Sequence, residues 1–507
     1  MFASIEEIKG ELTREIPQLA DRPPLATDEP DPLDQVCRVM LAQNCSRIEI
    51  RRNQPCKELR SMYDAFYGRL FRRHSHLCEV AHFFAGETYL GFSKIYPVSN
   101  STVGETMLSF RDCKDTHLAC WNHISQEIGG LQSYVVSSPF MQQDGNCGVC
   151  AQTALWMALR VIAPIVGRPD VSIPEITTLA AELQLWGPTM PAAGLTWEQM
   201  THVVRKLGYS PILDYRRGTE WYPDGIIYRH IESSLPVVIG LEGLRKWEGV
   251  GHAVTVVGHC FEPIVDGSLP SNTPYHTPAT FMRSFLVNDD NIGPYCEMPV
   301  RPSSRGLENG RQTAVTPYNL YEHATWILGI LPDSVNLFAE EAELMAFGML
   351  EELSAWKWYH DLAKEPGGAS SLVEAIERRR LVLRTFLINR KAWRRERLSL
   401  AGENALPCSL GDIYRQIELP EYIWLIEIST VEMYNSPAEA GQRLIMGEII
   451  VDPTATDRDF AVILLHVPGL LLYNSEPSGL RPPYIYFGVP DDHDYLGCQR
   501  SKERRVP

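Results

Sequence analysis

Three residues in this chain, a cysteine, a histidine and an aspartate in that order, have the types and local settings needed for nucleophilic acyl transfer. The stretch Phe140-Met141-Gln142-Gln143-Asp144-Gly145-Asn146-Cys147-Gly148-Val149-Cys150-Ala151 leads into the helix-forming run Gln152 to Leu159. Its polar, glycine-rich part reads as a turn, and Cys150 falls where the helix begins. A thiol there faces the positive end of the helix dipole and the unpaired N–H groups of the first turn, both of which favour thiolate over thiol. A tetrahedral intermediate formed on such a thiol carries an oxyanion that needs preorganised donors. The side-chain amide of Gln143 or Gln142, with a backbone N–H near Cys150, supplies two. Spacing does not choose between the glutamines, and Gln143 is preferred because it lies nearer the cysteine.

Further along, Gly251-His252-Ala253-Val254-Thr255-Val256-Val257-Gly258-His259 reads as a strand that places His252 on the same face as Val254 and Val256. An imidazole at the start of such a strand can face a cleft, take the thiol proton and return it to the leaving group. The segment Phe285-Leu286-Val287-Asn288-Asp289-Asp290-Asn291 is an apolar strand ending in polar residues. Asp289 there is expected to orient the His252 ring, with Asn288 and Asp290 as competing choices. Cys147 competes with Cys150 for the nucleophile's role, but the helix pattern is in register with Cys150. Cys147 and Cys150 also form a C-x-x-C, which in other settings is a redox couple or half a zinc site; no second such pair exists to complete the latter.

C-G-V-C-A before a helix, H-A-V-T-V-V-G on a strand and a polar residue at a later strand end resemble the papain-like cysteine peptidases. Within that group, the run from Cys150 to Leu159 is more similar to the bacterial bacteriocin-processing peptidases and their relatives. The resemblance covers about residues 132 to 300. It implies a two-lobed domain, a helical lobe followed by a β-rich lobe, with Cys150 as nucleophile, His252 as base and acid, Asp289 as orienter and Gln143 or Gln142 as oxyanion donor. Papain differs at several of these positions: it has Trp where Ala151 stands and Asn where Asp289 stands, lacks one residue between glutamine and cysteine, and carries a Trp after its Asn that is missing here. The implied activity is cleavage of a protein or peptide substrate through a thioester. Deamidases, transglutaminase-like enzymes and isopeptidases use the same constellation with other acceptors, and a non-catalytic papain-like binding module is the alternative from another class.

These residues need a scaffold, and the chain is long enough to supply several. Its 507 residues exceed one hydrophobic core and suggest three domains. Residues 1–130 read as an α+β unit for substrate or partner recognition or regulation, 131–317 as the papain-like catalytic domain and 318–507 as a second α+β unit. Helical patterns cover Asp34 to Ala42, Cys56 to Arg72, Ala151 to Val161, Ile173 to Leu185, Thr196 to Leu207, Ala339 to His360 and Ser371 to Phe386. Strands are expected near Thr88 to Tyr96, Thr106 to Phe110, Pro236 to Leu241, His252 to Cys260, Phe285 to Asn288, Tyr422 to Ile428, Arg443 to Val451 and Phe460 to Leu465. Ser303 to Thr316 reads as a loop. The basic run Arg390, Lys391, Arg394, Arg395 and Arg397 reads as a solvated helix face.

Apolar residues at 44% and charged residues at 22% describe an ordinary folded protein. A net charge of -16 argues against nonspecific binding to nucleic acid or anionic membrane. Met1 to Leu19 mixes charges with apolar residues at helical spacing and lacks the apolar core of a signal peptide, and no run is long enough to span a bilayer. A cytoplasmic location follows, and the twelve cysteines are then reduced thiols. No cofactor is expected. A zinc site on Cys113, His117 and Cys120, placed along one side of a helix, lacks an evident fourth ligand, so no metal is expected either.

Overall fold

A computed structural model of the chain describes residues 2–20, 30–70, 75–98, 102–111, 116–144, 150–184, 189, 194–218, 221–244, 251–261, 273–302, 312–364, 366–402, 408–435, 444–458, 461–474 and 485–487. Cys113, Cys147 and most of the loop expected at Ser303 to Thr316 lie outside them.

The chain begins with helices α1 (Ile5–Glu15) and α2 (Pro32–Ala42), strand β1 (Arg47–Pro55) and helix α3 (Lys57–Ala65). Strands β2 (Leu77–Ala85), β3 (Thr88–Ile95), β4 (Val103–Leu108), β5 (Thr116–Leu118), β6 (Asn122–Ile128) and β7 (Leu131–Ser137) follow. Next come α4 (Cys150–Val166), α5 (Ile173–Ala180), α6 (Trp197–Lys206), β8 (Tyr209–Tyr215) and α7 (Pro223–Glu232). Then come β9 (Val237–Leu241), β10 (His252–Phe261), β11 (Met282–Asp289), β12 (Gly293–Pro299), α8 (Leu320–His323) and β13 (Ala324–Pro332). The last part holds α9 (Ala339–Ala355), α10 (Lys357–Leu362), α11 (Gly368–Glu377), β14 (Leu381–Asn389), α12 (Arg390–Gly402) and α13 (Cys408–Gln416). It closes with β15 (Tyr422–Thr430), α14 (Val431–Asn435), β16 (Gly447–Val451), β17 (Val462–Val467), β18 (Leu470–Tyr473) and β19 (Ile485–Phe487). The class is α+β, as the sequence patterns require. Among the described residues no helix is long and apolar enough to cross a membrane.

Two compact units emerge where three domains were expected. Unit 1 comprises Met1–Pro223, Leu235–Cys260 and Arg283–Leu331; unit 2 comprises Asp224–Ser234, Phe261–Met282 and Pro332–Pro507. The boundary expected near residue 130 falls inside unit 1, and hydrogen bonds show why. Gln35 of α2 donates to the carbonyls of Pro294 and Gln312 (3.0 and 3.1 Å), and Tyr295 Oη donates to Leu108 O (2.8 Å). Thr106 and Phe140 form a β-bridge, so the N-terminal strands and the segment approaching Cys150 are one hydrogen-bonded body.

Within unit 1, β1 to β4 form an antiparallel sheet in chain order, β6 and β7 a hairpin, and a second sheet runs β12-β11-β10-β9-β13-β8 with β5 also on β10. Helix α4 is almost wholly buried, with Trp156 at its centre, because its Ala, Leu, Met and Val residues surround the axis. Thr255 on β10 donates to Ala154 O at 2.8 Å, which ties that helix to the strand carrying His252.

Three sequence expectations change. Ser371 to Phe386 is not one helix: α11 stops at Glu377, Arg379 turns the chain with φ 55°, and Leu381 onward is strand β14. That run is buried almost throughout and pairs with β15, so sheet packing overrides helix propensity. His117 sits on β5, paired with His259, rather than on a helix. The basic run is not uniformly solvated, since Arg397 is buried on the inner side of α12.

Unit 2 explains that arginine. Its antiparallel sheet runs β14-β15-β16-β17-β18-β19, and a cross-strand row places Arg384, Glu427, Glu448 and His466 side by side. Two adjacent buried glutamates would repel, and cations flank them. Arg384 donates to Glu427 (2.8 Å) and Glu232 (3.0 Å), and Arg397 Nε donates to Glu448 (2.8 Å). Removing one partner of such a row leaves uncompensated buried charge. Arg384→Met should therefore destabilise unit 2 by about 3–5 kcal/mol, read from its urea midpoint. The same change at exposed Arg378, paired with Glu374, should cost less than about 1 kcal/mol.

Candidate active site

Cys150 is the first residue of α4 and is half-buried. His252 is the first residue of β10, paired opposite Leu241 of β9, and its buried ring is hydrogen-bonded to the Cys150 thiol. His252 Nε2 stands 3.0 Å from Asp289 Oδ1. With Nε2 engaged by the carboxylate, Nδ1 is the ring nitrogen left to take the thiol proton.

Asp289 ends β11, where the pairing with β12 shifts by a bulge and the chain turns back at Gly293. Gly293 has φ 137°, and a Cβ there would come within 2.4 Å of the Gln35 side chain, so the turn requires glycine. Asp289 Oδ1 also accepts the N–H of Asn291 (2.9 Å), and Oδ2 accepts the Tyr318 hydroxyl.

The competing carboxylate and amide behave differently. Asn288 donates to Pro139 O (2.8 Å) and accepts from Tyr295 N (3.0 Å), so both ends of its amide hold backbone. Asp290 is fully buried with Oδ1 3.8 Å from His252 Nε2, and neither of its oxygens has a hydrogen-bond partner among the described residues.

The two glutamines are also distinguished. Gln142 is paired with Val103 of β4, donating its own N–H (2.9 Å) and accepting on Oε1 (3.0 Å). Gln143 Nε2 donates to Asn291 Oδ1 at 2.5 Å, and Asn291 Nδ2 lies 3.5 Å from His252 Nδ1. Gln143 is thus the glutamine linked to the imidazole, through Asn291.

Asn291 and Tyr318 are the members of this group that sequence reasoning missed. Asn291 lies two residues beyond Asp289 in a polar cluster, a signal that was present but unread. Tyr318 has no comparable signal, being a lone aromatic 29 residues from its partner.

No protein-family model matches the chain, and no curated protein matches it.

The electrostatics follow from this geometry. Burial disfavours the charged ring of His252, but the Asp289 carboxylate and its hydrogen bond, with help from Cys150 and Asp290, raise its pKa well above the ordinary histidine value. Burial likewise opposes the charge on Asp289, yet His252, Tyr318 and the Asn291 N–H hold it below the ordinary carboxylate value. For Asp290, burial and then the adjacent Asp289 prevail over His252 and push the pKa up to about 7. His252, Asp289 and Asp290 are also the one group of three possible metal donors among the described residues, with ligand atoms within 4.8 Å of one another. His117 and Cys120 belong to no such group.

Two pH-dependent outcomes follow. Asp289 stabilises the fold above about pH 4 and loses that contribution as pH falls, whereas His252 stabilises it below about pH 6.5 and loses it as pH climbs through its raised value. Asp289→Asn should therefore lower the urea midpoint more at pH 5.5 than at pH 9. Asp290 has the opposite sign, because its folded form keeps a proton that the unfolded chain releases above about pH 4. Asp290→Asn should stabilise the chain, with a gain that grows from pH 4 to about 7 and then levels off.

Proposed function

We propose that unit 1 is a papain-like cysteine peptidase acting on a protein or peptide substrate in the cytoplasm. The observation that carries this reading is a helix-initiating thiol hydrogen-bonded to an imidazole whose far nitrogen is held by a buried carboxylate. The eight cysteines whose side chains are described are all free thiols, which supports a reducing compartment. The net charge of -16 supports a polypeptide rather than nucleic acid as partner.

In the proposed reaction His252 Nδ1 takes the Cys150 proton as Sγ attacks the substrate carbonyl carbon. The carbonyl electron pair moves to oxygen, where Gln143 Nε2 donates to the oxyanion after exchanging its bond to Asn291. The C–N bond breaks, and the imidazolium returns the proton to the leaving amine. Water, deprotonated by the same imidazole, cleaves the thioester and regenerates the thiol. Asp289 fixes the ring orientation throughout, and Tyr318 fixes Asp289.

Cys150→Ala should abolish turnover and labelling by a thiol-directed electrophile while leaving the circular dichroism spectrum unchanged; undiminished turnover would refute the assignment. His252→Ala should lower turnover by about 10²–10⁴-fold. Gln143→Ala should lower it by about 10²–10³-fold, and Gln142→Ala should not. Comparing a proteome treated with wild type against one treated with Cys150→Ala identifies the acceptor chemistry. New N-termini support a peptidase, whereas deamidated glutamines without new N-termini would replace it by amide chemistry on the same thiol.

A further inference from the structure

A second pair of sulfurs in unit 1 takes no part in the site above. Cys56 is the N-cap residue of α3, and Cys78 lies on β2 opposite Gln54 of β1, two residues before Cys56. Side chains two apart on a strand share a face, so both thiols project to the same side of the ladder, where they are hydrogen-bonded to each other. Cys56 Sγ also accepts the N–H of Leu59 in the first turn of α3 and lies 3.3 Å from Tyr96 Oη. Cys78 Sγ lies 3.5 Å from Gln54 O, so its single proton is shared between that carbonyl and Cys56.

We propose that Cys56 and Cys78 are a hydroperoxide-reactive dithiol that closes to a reversible disulfide. The roles within the pair are unequal. The hydrogen bond from Cys78 first, and then Lys94 and the helix N–H against the opposing effect of burial, bring Cys56 down to about 6, whereas Cys78 is pushed up. Cys56 is therefore the attacking thiolate and Cys78 the resolving thiol. Four other buried cysteines differ: burial pushes Cys37, Cys45, Cys260 and Cys296 up, so they are inert.

The pair is 3% and 2% exposed, which excludes a bulky disulfide such as oxidised glutathione and limits the oxidant to a small hydroperoxide. The Cys56 thiolate attacks one peroxide oxygen, the O–O bond breaks, and the departing hydroxide takes a proton to become water. The Cys56 sulfenic acid is then attacked by Cys78 sulfur, the S–O bond breaks, and the hydroxide leaves with the Cys78 proton as a second water. Two thiols are oxidised by two electrons and one peroxide is reduced to two waters. The thiols already touch, so closure requires side-chain rotation rather than strand movement.

The test is hydrogen peroxide treatment of the full chain, quenching with iodoacetamide, and non-reducing peptide mapping by mass spectrometry. The expected result is a Cys56–Cys78 cross-linked peptide, with loss of these two alkylatable thiols and their return after dithiothreitol. In Cys78→Ser, Cys56 should stop at a sulfenic acid that dimedone traps. Complete alkylation of both residues after peroxide, or a cross-link from Cys56 to another cysteine, overturns the proposal. Should Cys78→Ser fail to fold, the wild-type map alone decides. None of these readouts involves turnover, so the outcome is independent of the role assigned to Cys150.

Discussion

The hydrogen bond between His252 Nε2 and Asp289 Oδ1 imposes most of the local architecture of unit 1. A distance of 3.0 Å requires β10 and β11 to be neighbours, with His252 opening one strand as Asp289 closes the other. At Asp289 the pairing of β11 with β12 shifts by a bulge and the chain turns back. The turn depends on Gly293, and Gln35 of α2 packs against that glycine, so a helix far away in sequence supports the carboxylate. Burial removes water from both charges and makes the pair sensitive to geometry: a half-formed contact would leave desolvated ions without compensation. Tyr318 and the Asn291 N–H supply the remaining hydrogen bonds that the carboxylate needs.

Bringing the thiol to this pair is a separate problem, solved by two attachments. Thr255 binds Ala154 O and fixes α4 on β10. Upstream, Gln142 is paired with Val103 on β4, and Asp144 accepts the Tyr67 hydroxyl. The segment ending at Asp144 is thereby anchored on the N-terminal part of unit 1. A chain that kept residues 1–130 as an independent domain could not anchor it this way, which is the physical reason they belong to the same compact unit.

Features set by local pattern were legible from residues alone. The start of α4 at Cys150, the strand beginning at His252 and the strand ending at Asp289 each follow from hydrophobic periodicity interrupted by polar residues. Features set by distant partners were not. Leu381 to Phe386 continues a helical pattern when read locally and becomes a strand because β15 pairs with it. Arg397 looks like one more cation on a basic helix, yet it faces Glu448, which is 51 positions away. Tyr318 joins the site through a single hydroxyl, and one aromatic residue carries no periodicity to detect. Strands β5 to β7 are short or polar on one side, so they gave a weak apolar signal.

The Asp289-Asp290 dipeptide shows the same limit at the level of charge. Both carboxyls are fully buried beside one imidazole, and sequence offers no reason to prefer either as its partner. Hydrogen bonding decides: Asp289 collects the ring N–H, a backbone N–H and a phenol, while Asp290 receives no hydrogen bond from the described residues. Donors favour the ionised form, and desolvation without donors favours the neutral form. The negative charge therefore settles on Asp289, and Asp290, with a pKa near 7, is about half protonated around neutrality. Two identical side chains thus acquire different charge states from the donors the fold directs at each, and only the one that holds its charge can hold the imidazolium.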